Sequence, residues 1–148
     1  MGYSGRILVA RIGGPYRGGA APVLWESERK DGWRWIQFDG DAAGALAETV
    51  ASTGMPALWA YIMDSDVADV EALTPGGQRW RTYLHPDVAE EFGAPPLVLS
   101  VDEVVAAALD WAAQAGLTAD PGAVRAALEA VNVEVEETLA ALVTALGT

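Results

Sequence analysis

Two hydrophobic rhythms run through the chain, and the change between them falls near residue 100. Before it, short apolar runs are separated by glycine, proline and aspartate, the spacing of strands and turns. After it, apolar residues recur at three- and four-residue intervals, as on one face of a helix. The densest run is Ala57 to Met63 (ALWAYIM), preceded by the breaker Gly54-Met55-Pro56 and followed by Asp64, Asp66 and Asp69. Seven residues without a polar break, aromatic and branched side chains among them, predict a central strand covered on both faces with an acidic outlet at its end.

The first strand is expected over Arg6–Ile12, ended by Gly13-Gly14-Pro15-Tyr16-Arg17-Gly18-Gly19. Glycine loops can cradle phosphate, but this one lacks the Lys-Ser/Thr of a P-loop and the GxGxxG spacing, so it reads as a mobile connector. A hairpin follows, Pro22–Glu28 and Trp33–Phe38, with Asp31-Gly32 as its turn signal. With a two- or four-residue loop, Val23, Trp25, Ile36 and Phe38 share the core face. Leu24, Glu26, Glu28, Trp33, Trp35 and Gln37 then share the other, either as a second buried layer under helices or as an exposed aromatic patch. A three- or five-residue loop reverses that parity. On the even-loop reading Trp25 is buried, and Trp33 or Trp35 stays partly accessible.

Asp41 is placed to N-cap a helix over Ala42–Thr53 that Gly54 stops, and the strands on either side complete a βαβ-like unit. If both strands share one sheet they run parallel, and Asp39 and Asp41 face the same rim as Asp64 and Asp66. Val67–Leu84 suits a hairpin turning at Pro75-Gly76-Gly77, with a short helix over Asp66–Leu73 as the competing reading. In the hairpin, Trp80, Thr82 and Leu84 face one way, and Arg79, Arg81 and Tyr83 the other. There the two arginines are expected to neutralise nearby acids. Pro86–Phe92 reads as a short helix with His85 as a cap or turn residue, and Leu97–Leu99 as a further short strand.

Ser100 and Glu103 form a capping box ahead of a helix striped with Val101, Val104, Val105, Ala108, Leu109 and Ala112, with Trp111 just off that stripe. Asp120-Pro121 caps a second helix. Asn132 is expected to cap a third, whose first turn holds Glu134, Glu136 and Glu137. The fold class expected is α+β in one domain. Residues 1–99 are mainly β with the helix at 42–53, forming a mostly antiparallel sheet of four to six strands; residues 100–148 are a three-helix segment packed on it around a single core.

Composition narrows the function classes. The net charge of −12 is uneven: Arg125 stands alone against eleven acidic residues from position 82 onward. Nucleic acids and anionic membranes bind through cationic side chains, so neither is an expected partner; a basic protein is. Cysteine is absent, which removes disulfides, thiolate ligands and a cysteine nucleophile. His85 is the sole histidine and Lys30 the sole lysine, the latter a bias of GC-rich bacterial codons. No apolar run approaches the roughly 20 residues of a bilayer span or the h-region of a signal peptide, so a cytoplasmic location is expected.

No motif of catalytic spacing stands out, and the expectation leans away from an enzyme. The leading reading is a non-catalytic acidic interaction module, in one version an inhibitor or immunity-type protein for a basic partner. It would use Glu134, Glu136 and Glu137, with Trp33 and Trp35 as aromatic anchors. The alternative is a divalent-cation enzyme or metal site at Asp39, Asp41, Asp64 and Asp66, since hard cations favour clustered carboxylates. A pocket for a small apolar ligand, lined by Trp25, Trp59 and Trp80, is the third.

Overall fold

The computed structural model describes residues 2–148. Strands β1 (Gly5–Arg11), β2 (Val23–Glu28), β3 (Trp33–Phe38), β4 (Ala57–Met63), β5 (Val67–Leu73) and β6 (Arg79–Leu84) form one sheet in the order β2-β3-β1-β4-β5-β6. All five neighbouring strand pairs are antiparallel. Five helices accompany them: α1 (Ala45–Thr53), α2 (Pro86–Glu91), α3 (Val101–Gln114), α4 (Pro121–Glu129) and α5 (Val135–Ala145). The fold is α+β, with the sheet in the N-terminal part and helices α3, α4 and α5 packed at its C-terminal side. No helix among the described residues is long and apolar enough to cross a membrane.

The β4 run is central, as its composition requires, with β1 as its inner neighbour. β1 lies between β3 and β4 and runs antiparallel to both, so β3 and β4 are parallel to each other without touching. The βαβ-like unit therefore exists in split form, and the ends of β3 and β4 reach the same sheet edge. Because β1 and β4 are apolar on both sides, the packing divides into two clusters rather than the single core expected. Ile7, Val9, Leu58, Ala60 and Ile62 meet α3, α4 and α5 on one face. Leu8, Ala10, Ala57 and Trp59 meet α1 and the segment before β2 on the other.

The hairpin overturns the predicted parity. Arg29 N–H closes on Trp33 O at 2.7 Å around the three residues Lys30–Gly32, with Asp31 and Gly32 both at positive φ. This odd loop sets Trp25 opposite Gln37 and Glu26 opposite Ile36, and a bulge before Trp25 returns Val23 to its place opposite Phe38. Trp25 is consequently 54% exposed, whereas Trp33 and Trp35 are 1% and 5% exposed beneath the helices. The accessible Trp33/Trp35 patch is thus corrected: strand parity turns both indoles into the helix-covered cluster. Of the six tryptophans, it is Trp25, on the edge strand, that reaches water.

Smaller corrections have local causes. Ala42 turns to φ 49 and Gly44 becomes the N-cap of α1 at φ 82, leaving Asp41 upstream and free to pair with Arg6 instead of capping. Gly54 stops α1 as expected, in the left-handed conformation and donating to Val50 O. Residues 67–73 are strand, not helix, and Leu97–Leu99 adds no strand. The capping box of α3 forms in both directions. Trp111, off the main stripe of α3, makes a second contact: it is 1% exposed and donates its indole N–H toward Ala57 O and Leu73 O at 3.2 and 3.3 Å, tying α3 to the ends of β4 and β5. Asn132 does not cap α5, whose N-cap is Glu134; its amide turns to Thr138 instead.

Candidate functional site

Of the four aspartates expected at one rim, two are engaged by different partners. Asp41 Oδ1 accepts from Arg6 Nε at 3.1 Å, and Asp64 Oδ1 accepts the Gly2 N–H at 2.8 Å. Asp39 and Asp66 are exposed. Among the described residues no group of three or more His, Asp or Glu side chains is placed to hold a metal ion.

Behind the rim lies a buried polar junction. Asp64 and Ser65 both adopt positive φ in the β4–β5 turn, which drives Ser65 inward. Its hydroxyl accepts from Tyr3 N–H at 2.9 Å and donates to Glu136 Oε2 at 2.8 Å, and its carbonyl accepts from Val135 N–H at 2.7 Å. Glu136 is therefore an internal anchor for α5 rather than a partner contact, while Glu134 and Glu137 remain exposed. Tyr3 Oη lies 2.8 Å from Arg6 O and 2.5 Å from Phe38 O. Burial, with added repulsion from Glu136 and Asp39, holds this phenol well above the ordinary tyrosine range.

His85 is 3% exposed. Nδ1 lies 2.8 Å from Asp66 O, and Nε2 lies 2.7 Å from Thr138 Oγ1 and 3.2 Å from the Asn132 amide nitrogen. A proton on Nδ1 satisfies all three contacts at once: the ring donates to the carbonyl and accepts from the amide and hydroxyl. The imidazole thereby ties the β4–β5 turn to α5, and none of the concavities described below is lined by it.

Two surfaces emerge that sequence reasoning missed or undervalued. On the face opposite α3, α4 and α5, the β4–β6 half of the sheet carries an ordered polar layer. Arg81 clasps Asp69 with two hydrogen bonds, which raises the arginine's already high pKa, and Arg79 reaches Glu71 at 3.2 Å. Glu71 also accepts the Trp59 indole N–H at 3.1 Å, and the Arg6 guanidinium lies 4.0 Å over the Trp59 ring. The predicted neutralising role of Arg79 and Arg81 is what the geometry displays. The stacked Arg6 carried no signal, because it depends on the register that sets Arg6 opposite Tyr61.

The second surface is a groove of about 730 Å³ between the glycine-rich segment and α1, with Arg11, Arg17, Glu48 and Ser52 in its walls. The segment is tethered, not a free connector. Gly13 N–H donates to Gly32 O at 3.1 Å, Tyr16 N–H to Glu26 Oε2 at 3.2 Å, and the Tyr16 ring packs edge-on to Phe38 at 5.1 Å. Burial, then the nearby Glu48 carboxylate, raises the Tyr16 pKa.

The helical side is predominantly acidic. Ten of the eleven carboxylates from residue 82 onward are exposed; Arg125, the one cation in that stretch of sequence, is engaged by Asp102 and Glu129, and Arg29 reaches from the hairpin to Thr144 and Thr148 beside α5. Comparison with known proteins finds no matching family, no matching curated protein and no matching solved structure.

Proposed function

We propose that this chain is a non-catalytic protein-binding module of the bacterial cytoplasm that presents its acidic helical layer to a basic protein. One concrete form is an inhibitor or immunity-type protein. The observation that carries the reading is the segregation of charge. Eight of the nine cations belong to residues 1–81, while the helices and their connections expose ten carboxylates against Arg125 alone. A one-signed face of this kind accelerates encounter with a surface of opposite sign and repels anionic competitors. The aromatic anchor in this reading is no longer Trp33 or Trp35. Trp25 and Leu24, 54% and 56% exposed on the edge strand, supply the exposed apolar area instead.

The test is affinity capture with the full chain at about 0.05 M and 0.5 M salt, where the screening length shortens from roughly 14 to 4 Å. A variant with Glu90, Glu91, Glu134 and Glu137 changed to Gln is run in parallel. A basic protein retained at low salt, and lost both at high salt and by the variant, is the expected result. Retention indifferent to salt and to the four substitutions would refute steering by the acidic layer.

A further inference from the structure

We infer that the groove between the glycine-rich segment and α1 is a binding site for a small hydroxylated phosphate, a sugar phosphate or mononucleotide in size. Its volume of about 730 Å³ falls within the range of small-molecule pockets. Four features of its walls set the chemistry, and none depends on the acidic layer.

The first is charge. In a chain of net charge −12, Arg6, Arg34, Arg79, Arg81 and Arg125 each meet a carboxylate within 4.0 Å, as expected where acids are in excess. Arg11, Arg17, Arg29 and Lys30 meet none among the described residues; Arg29 is taken up by Thr144 and Thr148, while Arg11 and Arg17 both line the groove. Arg11 Nε donates to Asp31 O at 3.0 Å, which orients the guanidinium while leaving its terminal nitrogens for another acceptor. Two guanidiniums against the single Glu48 carboxylate leave the groove with a net positive charge, which calls for an anionic ligand, and the planar fork of arginine is suited to meeting phosphate oxygens in pairs.

The second is bare backbone. Glycine at position 13 answers to its φ of +69, and glycine at 18 to the Tyr16 ring, which an added Cβ would overlap. Gly14 answers to neither: its φ is open to any residue and a Cβ there would meet nothing within 4 Å. An uncovered peptide in the groove wall lets a ligand oxygen approach the backbone closely.

The third is the opposite wall. Ser52 spends its hydroxyl hydrogen on Thr49 O at 3.2 Å, so toward the groove it offers lone pairs, as does the Glu48 carboxylate. The loop wall donates and the helix wall accepts. A phosphate ester with free hydroxyls sets its charge against the arginine wall and still reaches the helix wall with hydroxyl donors, a span that compact inorganic phosphate lacks and a charge that a neutral sugar lacks. The fourth is preorganisation, since the tethers at Gly13 and Tyr16 hold the loop in place before any ligand arrives.

The experiment is amide NMR titration of the full chain in low-chloride buffer with ribose 5-phosphate, with inorganic phosphate and ribose as parallel arms. Saturable shifts of the Gly13, Gly14 and Gly18 amides by ribose 5-phosphate are expected, with ribose at least about tenfold weaker. Arg11→Gln with Arg17→Gln alters two exposed side chains, and the same spectrum verifies the fold; it should weaken ribose 5-phosphate about tenfold or more. Glu48→Gln with Ser52→Ala should narrow the preference for ribose 5-phosphate over inorganic phosphate, because the helix wall then loses its acceptors for the ligand hydroxyls. Absence of saturable shifts with both phosphates, equal affinity in the double arginine variant, or ribose binding as tightly as its phosphate would each overturn the assignment.

Discussion

Arg34 offers the sharpest test of how the glycine-rich segment is held. It is 8% exposed on β3, with Nε and Nη2 3.1 and 2.9 Å from Glu26 Oε2 on β2. The same oxygen accepts the Tyr16 N–H, so one cross-strand ion pair supports both the edge strand and the loop above it. Glu28, 82% exposed, adds little to the pair. Arg34→Met keeps most of the stem and removes the charge. Breaking a buried pair from one side costs about 3–5 kcal/mol, because the remaining ion is left uncompensated. Glu26 keeps 19% side-chain exposure and can draw in water, which points to the lower end, ~3 kcal/mol. At roughly 2–4 °C per kcal/mol for a domain of this size, the melting midpoint should fall by roughly 6–12 °C. Glu26→Gln retains an acceptor for Tyr16 and should cost about 1–2 kcal/mol. With both substitutions no uncompensated charge remains, so the double variant should cost about 2 kcal/mol less than the sum of the two. Urea unfolding followed by tryptophan fluorescence measures all four corners of the cycle. Additivity within about 0.5 kcal/mol would refute the view that this pair acts as a unit.

Three further outcomes are expected. Acrylamide should quench one tryptophan freely, and Trp25→Phe should remove most of the quenchable emission; unchanged quenching in that variant would contradict the bulged register of β2. Tyr3 keeps its proton in the folded chain above the value of 10.0 at which a free tyrosine ionises. The stability this contributes is complete below that pH and is lost as pH rises toward the raised folded value; urea titrations across this range should show a shallower decline for Tyr3→Phe, and an equal decline would dismiss the buried phenol as the cause. Finally, millimolar Mg²⁺, Mn²⁺ or Ca²⁺ should move the thermal midpoint by less than about 1 °C, whereas a bound cation at a hundredfold excess would add about 2.7 kcal/mol. A clear shift abolished by Asp64→Asn would restore the aspartate rim as a metal site.

Much of the fold was legible because its signals are local. The Ser100–Glu103 box, the Asp120-Pro121 cap, the Gly54 stop and the Pro75-Gly77 turn each act over a few residues, so the sequence alone places them. The period-2 alternation of Trp80, Thr82 and Leu84 against Arg79, Arg81 and Tyr83 likewise assigned both faces of β6, because nothing interrupts the strand. What the sequence could not decide hangs on loop geometry and strand order. One residue more or less in the Asp31-Gly32 turn exchanges the faces of β2 relative to β3, and the apolar pattern tolerates either choice because Leu24, between Val23 and Trp25, is hydrophobic as well. Asp41 has the chemistry of a cap, yet the insertion of β1 between β3 and β4 brings Arg6 within reach and the helix starts later. The donor and acceptor walls of the groove come from segments some thirty residues apart, Arg11 to Gly18 and Glu48 to Thr53, and only packing against the sheet sets them face to face. Local backbone preference determined the elements; which side chains share a surface was decided by their assembly, since proximity across a sheet or groove has no counterpart in sequence spacing.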